Sequence, residues 1–124
     1  MELPGYFALL IAPVLLSLLS VFMHQATKTG SISRNSAIGL RTKSTMASDQ
    51  AWKAGHAAAD PYLIAVAIIG VVVIVTSVTL PLAVGSENGL YPPGIIAAPA
   101  IGLSIQITVL IIATIAANSA AKQQ

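Results

Sequence analysis

Residues 61–82 read PYLIAVAIIGVVVIVTSVTLPL and contain no charged side chain. The abundance of Val and Ile suits a buried strand, but strands usually run for about 5 or 6 residues. About 20 residues at 1.5 Å each match a hydrocarbon core of roughly 30 Å. Asp60 is a favourable N-cap, and Pro61 fits the first helical position. The stretch therefore predicts a membrane-spanning helix that begins at Asp60 and Pro61.

Two further apolar stretches, residues 4–23 and 93–117, have the same length and character. Pro13 interrupts the first, which a membrane helix tolerates when neighbouring helices, Ser17 or Ser20 satisfy the freed backbone group. The N-terminus carries Glu2 and no basic residue, the reverse of a secretory signal peptide, so we expect this stretch to remain as a span.

The composition agrees with three spans, because 56% of the residues are hydrophobic and only 8% are charged. Soluble domains carry about a quarter charged residues. Cysteine is absent, which excludes disulfides, thiolate metal sites and thiol nucleophiles. We expect an all-α integral membrane protein, one domain over residues 1–124, with a long connection at 24–60.

The basic residues are distributed unevenly and predict the orientation. The N-terminus and the second connection contain Glu2 and Glu87 but no basic residue. Basic residues are retained on the cytoplasmic side, so the pattern predicts an outer N-terminus, an inner C-terminus and a cytoplasmic first connection. The six basic residues are Lys28, Arg34, Arg41, Lys43 and Lys53 in that connection and Lys122 in the tail.

The second half of the first connection has the pattern of a helix. Ser48 suits an N-cap, and Asp49 to Lys53 forms a favourable i,i+4 pair. Trp52 and His56 then share one face. This helix is expected to lie along the headgroups with its indole at the membrane interface.

The first half of that connection is expected to turn at Gly39, because glycine accepts backbone angles that other residues resist. Arg34 and Arg41 flank the turn. Two interpretations stay open: the guanidinium groups bind phospholipid phosphates or a carboxylate partner, or the loop is a solvated basic segment that only fixes topology.

One face of the third span consists mainly of small residues, which allow another helix to approach closely. Gln106 lies on it and is interpreted as a hydrogen-bonding link between helices, with a transport or proton-relay role as the alternative. The face comprises Ala98, Gly102, Gln106, Val109, Ala113 and Ala117.

Catalytic and cofactor motifs are missing from the sequence. His24 and His56 are far apart and lack metal-ligand spacing, and no nucleophile elbow or phosphate-binding glycine loop occurs. We expect no enzyme activity, no cofactor and no bound metal. Nucleic-acid binding is disfavoured because the basic residues are held at a membrane.

Residues 34–56, RNSAIGLRTKSTMASDQAWKAGH, resemble the signature of the SdpI immunity-protein family. That family has an Asn, a Gly-x-Arg-Thr turn, a Ser or Thr, an acidic residue, a Trp and an Asn or His in a cytoplasmic loop between the first two helices of a three-helix module. The chain is similar to a short three-helix form. The matching positions are Arg34, Asn35, Gly39, Arg41, Thr42, Thr45, Ser48, Asp49, Trp52 and His56.

The resemblance implies a multi-pass protein of the bacterial cell membrane that gives immunity to, or senses, membrane-active antibacterial peptides. Expected partners are anionic phospholipid headgroups and a membrane protein or a second copy of the chain. The alternative is a small accessory or assembly subunit of a larger respiratory or envelope-synthesis complex, motivated by the small-residue face of the third span.

Overall fold

The computed structural model describes residues 1–34 and 38–124 and is helical throughout its regular elements. Within those ranges there is no β-strand. The apolar segments Leu3–Thr29, Asp49–Val84 and Pro93–Lys122 are long and apolar enough to cross a membrane, which confirms the predicted all-α fold with three helices of spanning length. The helices are α1 Leu3–Ala8, α2 Ile11–Thr29, α3 Asp49–Val84 and α4 Ala97–Lys122, with short 3-10 turns at Thr45–Ala47 and Pro93–Ile96.

The first span is interrupted between α1 and α2, shortly before Pro13. Proline has no N–H to donate to the carbonyl of Leu9, so the regular helical bonding fails there. The amides of Leu9 and Leu10 bond three residues back instead, to Tyr6 and Phe7. Ser17 Oγ donates to the carbonyl of Pro13 itself at 2.7 Å, so it does not satisfy the group that the proline frees.

The helices extend beyond the apolar stretches into the expected loop. α2 continues to Thr29 and ends where Gly30 adopts a left-handed conformation, with φ of 71°. α3 begins at Asp49, capped by Ser48, whose side chain accepts from the amide of Ala51. The expected helix start at Asp60 is therefore wrong.

Pro61 lies inside α3 and removes a single backbone bond. Residues 49–60 are rich in alanine, a strong helix former, and Ala51 and Ala59 are buried. Propensity and burial on this side outweigh the lost bond. The expectation of a separate helix along the headgroups is also wrong, since this segment is continuous with the span and Trp52 is 3% exposed.

α3 is the central helix and packs against both α2 and α4. Glycines allow the close approach. A Cβ on Gly70 would overlap Ser17 Oγ of α2, and one on Gly102 of α4 would overlap Val73. At the other end, a Cβ on Gly55 would lie 2.9 Å from the carbonyl oxygen of Ala117.

Pro81 interrupts the bonding of α3 near its C-terminal end, and α1 compensates. Because Pro81 has no N–H, the carbonyl of Ser77 loses its partner within the helix. Tyr6 is fully buried and donates its hydroxyl to that carbonyl at 2.7 Å. The short helix α1 is thereby fixed against α3.

Candidate functional site

The segment that joins α2 to α3, residues 30–48, is called here the basic connection. Its residue Leu40 is 9% exposed and inserts among the three spans. It contacts a cluster whose members come from every span: Met23, Ala59, Leu63, Ala113 and Ala117. Burial of one leucine side chain contributes about 1.5–3 kcal/mol. The basic connection is therefore anchored in the core at Leu40.

His56 of α3 holds the backbone of the basic connection in place. The amide of Leu40 donates to His56 Nε2 at 2.9 Å, so this nitrogen carries no proton. The other nitrogen, Nδ1, lies 2.8 Å from the carbonyl oxygen of Trp52 and donates to it. The imidazole is consequently neutral, 2% exposed and engaged at both nitrogens.

Gly39 lies directly against the Trp52 and His56 rings. The two rings are 4.1 Å apart between centroids and tilted by 33°. A Cβ on Gly39 would lie 2.5 Å from Trp52 Cη2 and 3.0 Å from His56 Nε2, and the φ of Gly39 is 143°. Both the space and the backbone angle therefore require glycine here.

Thr45 organises the next turn of the basic connection from a fully buried position. Its hydroxyl donates to the carbonyl of Leu40 at 2.7 Å and accepts from the amide of Thr42 at 2.8 Å. In return, the amide of Thr45 donates to Thr42 Oγ1 at 3.1 Å. These bonds satisfy backbone groups of a turn that is too short to form regular helical bonds.

Arg34 forms an ion pair with a carboxylate of its own chain. Its Nε lies 3.2 Å from Asp49 Oδ1, and its Nη1 donates to the carbonyl of Met46 at 3.4 Å. Across the described part of the chain, Asp49 forms this pair and not the expected one with Lys53. Arg41 Nη1 donates to the carbonyl of Arg34 at 3.2 Å.

The predicted motif residues therefore lie together, with their contacts directed largely inward. The contacts described above are called here the interlock, and they are made by Gly39, Thr42, Thr45, Trp52 and His56. Ser48 caps the helix that carries Trp52 and His56. Asn35 lies outside the described residues. Apart from Asp49, the exposed charged side chains described at this end are basic, namely Lys28, Arg41, Lys43, Lys53 and Lys122, and a surface of this kind attracts anions.

Gln106 links the three spans at a separate place, far from the basic connection. It is fully buried, and its Nε2 donates to Ser17 Oγ of α2 at 3.0 Å and to the carbonyl of Val66 in α3 at 3.1 Å. Gly102, Ala113 and Ala117 on the same face of α4 are buried, whereas Ala98 and Val109 are half-buried. The small-residue face is thus used for packing within the chain.

A pair of titratable side chains, His24 of α2 and Asp60 of α3, links these two helices. His24 Nδ1 lies 2.7 Å from Asp60 Oδ1, with side-chain exposures of 28% and 26%. The sequence pattern assigned Asp60 to a helix cap and gave His24 no partner. Their positions at the polar edges of two apolar stretches were the signal that could have linked them.

Comparison with protein-family models matches residues 31–119 to the model described as the SdpI/YfhL protein family. Comparison with curated proteins and with solved structures gave no match. The matched region begins in the basic connection and includes the interlock, α3 and most of α4. The three apolar spans and the resemblance of residues 34–56 agree with this match. The chain is a membrane protein that belongs to the SdpI/YfhL protein family.

Proposed function

We propose that this chain acts, without catalysis, in immunity to or sensing of membrane-active antibacterial peptides in the bacterial cell membrane. The spans contact the peptide or exclude it from the bilayer. The basic connection, on the cytoplasmic side, is a docking element for anionic headgroups and for a membrane-protein partner or a second copy. The positive-inside distribution supports this orientation, with the N-terminus outside and the C-terminus inside.

The observation that carries the proposal is the defined conformation of the basic connection around Leu40, within residues 38–48. Leu40 is buried among the spans, and His56 and Thr45 hold the backbone on either side of it. A segment whose only task is to mark topology needs positive charge and no defined conformation. A preformed surface loses less conformational entropy when a partner binds, which suits docking.

The experiment is deletion of the gene followed by challenge with a panel of membrane-active antibacterial peptides. We expect increased sensitivity to at least one peptide, restored by the wild-type gene. Unchanged sensitivity across the panel would contradict the proposal. Complementation with a variant that is inserted at normal abundance separates loss of function from loss of the protein.

Arg41→Ala is the matched variant for the docking role. Five other basic residues still mark the inner side, so we expect unchanged insertion and topology. Complementation should nevertheless weaken if Arg41 contributes to docking. Lys122→Ala removes the same charge from the tail and is the control. If Arg41→Ala changed the topology, a purely topological role of the loop would be the better explanation.

The alternative, a small accessory subunit of a larger respiratory or envelope-synthesis complex, rested on the small-residue face of the third span. Gly102, Gln106, Ala113 and Ala117 are buried within the chain itself, so this face no longer argues for an external partner. Purification in mild detergent distinguishes the two functions. A stoichiometric large complex would favour the accessory role.

A further inference from the structure

A cavity of about 250 Å³ lies between the end of α2 and the start of α3, beside Trp52 and His56. Its walls include Thr27, Ile32, Trp52, Lys53, His56 and Ala57. We propose that this cavity binds a phosphate group, either the headgroup of an anionic phospholipid or free phosphate. The proposal rests on the cavity and its polar atoms and does not depend on the peptide-immunity function.

Two buried polar atoms of the wall residues lack hydrogen-bond partners. Within the described residues, Trp52 Nε1 and Thr27 Oγ1 are both buried and unpaired. An unpaired buried donor destabilises the folded state, because it has lost its bonds to water without gaining others. Both residues line the same cavity, and Trp52 is only 3% exposed. A ligand that supplies acceptor atoms would recover this free energy.

The remaining polar groups of the cavity select the charge of that ligand. Indole N–H and the lysine ammonium only donate, and a threonine hydroxyl can donate. His56 has no free nitrogen, because Leu40 and Trp52 occupy both. Among the described residues that line the cavity, none is acidic. The available groups are thus donors beside one cation, and they fit a ligand with several acceptor oxygens and a negative charge.

The depth of the cavity favours phosphate among such ligands. It lies where the apolar segment Leu3–Thr29 ends, next to the exposed Lys53. In a membrane this is the level of the headgroup phosphates, and lysine binds phosphate as a point charge. The apolar side chains of Ile32 and Ala57 suit contact with the carbon atoms of a phospholipid next to its headgroup phosphate.

Trp52 is the only tryptophan of the chain, so its fluorescence reports directly on the cavity. Trp52 Nε1 and Thr27 Oγ1 are covered, and binding therefore requires a small rearrangement of the wall around the indole. The protein is placed in phosphatidylcholine nanodiscs. One arm replaces phosphatidylcholine stepwise with phosphatidylglycerol, and the other adds inorganic phosphate at constant ionic strength.

We expect a saturable change in Trp52 emission. Thr27→Val and Lys53→Gln should each raise the half-saturation concentration by about tenfold, the loss of one charge-assisted contact. Lys122→Gln removes an equal charge from the tail, outside both the cavity and the basic connection, and should match wild type. A response to phosphatidylglycerol alone identifies a lipid headgroup, and a response to phosphate alone identifies a free anion.

Two results would overturn the proposal. One is the absence of a saturable change in both arms. The other is an equal effect of Lys122→Gln and Lys53→Gln, which would mean that surface charge alone attracts the anion. Lys53 is exposed, so its variant keeps the test decisive even if Thr27→Val were poorly folded.

Discussion

The two connections between the spans differ in how much of them is buried. The basic connection places Leu40 and Thr45 in the interior and forms side-chain bonds to α3. The second connection, residues 85–92, is almost entirely exposed and holds its shape through backbone bonds. Glu87 and Leu90 exchange two such bonds at 2.9 Å.

The basic connection is thus a folded element, whereas the second connection only links two helices. In the second connection, Gly85, Asn88 and Gly89 have positive φ, and Tyr91 pairs with the backbone of Met1. Little depends on which side chains it carries. In the basic connection, individual side chains decide the conformation, so we expect substitutions there to have much larger effects on stability.

Gly39→Ala should have the largest effect. The new Cβ would meet the Trp52 ring at a φ of 143°, and we expect a loss of about 3 kcal/mol in the free energy of unfolding. Gly89→Ala is the control in the second connection, where φ is 78° and nothing lies within 4 Å of the new Cβ. It should lose about 1 kcal/mol. Denaturation in detergent measures both, and equal losses would remove the contrast.

Thr45→Val should follow. The substitution keeps the shape of the side chain but leaves the amide of Thr42 and the carbonyl of Leu40 without this hydroxyl. We expect a loss of about 2 kcal/mol. Thr79→Val removes an exposed hydroxyl that bonds only within its own helix and should change stability little. Thermal unfolding of the two variants in the same detergent tests the difference.

Gln106→Leu tests the linkage within the spans. It removes the bonds to Ser17 and Val66, and side-chain bonds between membrane helices contribute about 1 kcal/mol. The buried Gln106 Oε1 has no partner within the described residues, which lowers the expected loss further. Ser104→Ala on the exposed face is the control. A loss greater than that of Gly39→Ala would show that the span junction, rather than the basic connection, dominates stability.

Asp49→Asn should have the smallest effect. Its side chain is 79% exposed, and exposed ion pairs contribute about 0–1 kcal/mol. We expect a change of about 0.5 kcal/mol or less, which raised salt should reduce further. A large loss that persists at high salt would mean that the Arg34 pair is a structural anchor of the basic connection.

Some features of the site followed from local pattern. Trp52 and His56 share a helical face at a spacing of four, and Gly39 occupies a turn. The burial of Leu40 could not be read from the sequence, because a single leucine in a polar loop has no periodicity to reveal its partner. The pair of His24 and Asp60 depends in the same way on how α2 and α3 lie against each other.

The sequence by itself determined that three apolar helices form, since an uninterrupted run of about 20 uncharged residues matches the thickness of a bilayer. It also determined which short segment resembles the family, because that resemblance depends on residue types at fixed spacing. Only the tertiary structure decided that the amide of Leu40 bonds to His56 of α3. It also decided that Asp60 pairs with His24 instead of capping a helix. Such contacts join residues far apart in the chain, and their free energies exceed the local preferences from which sequence patterns are read.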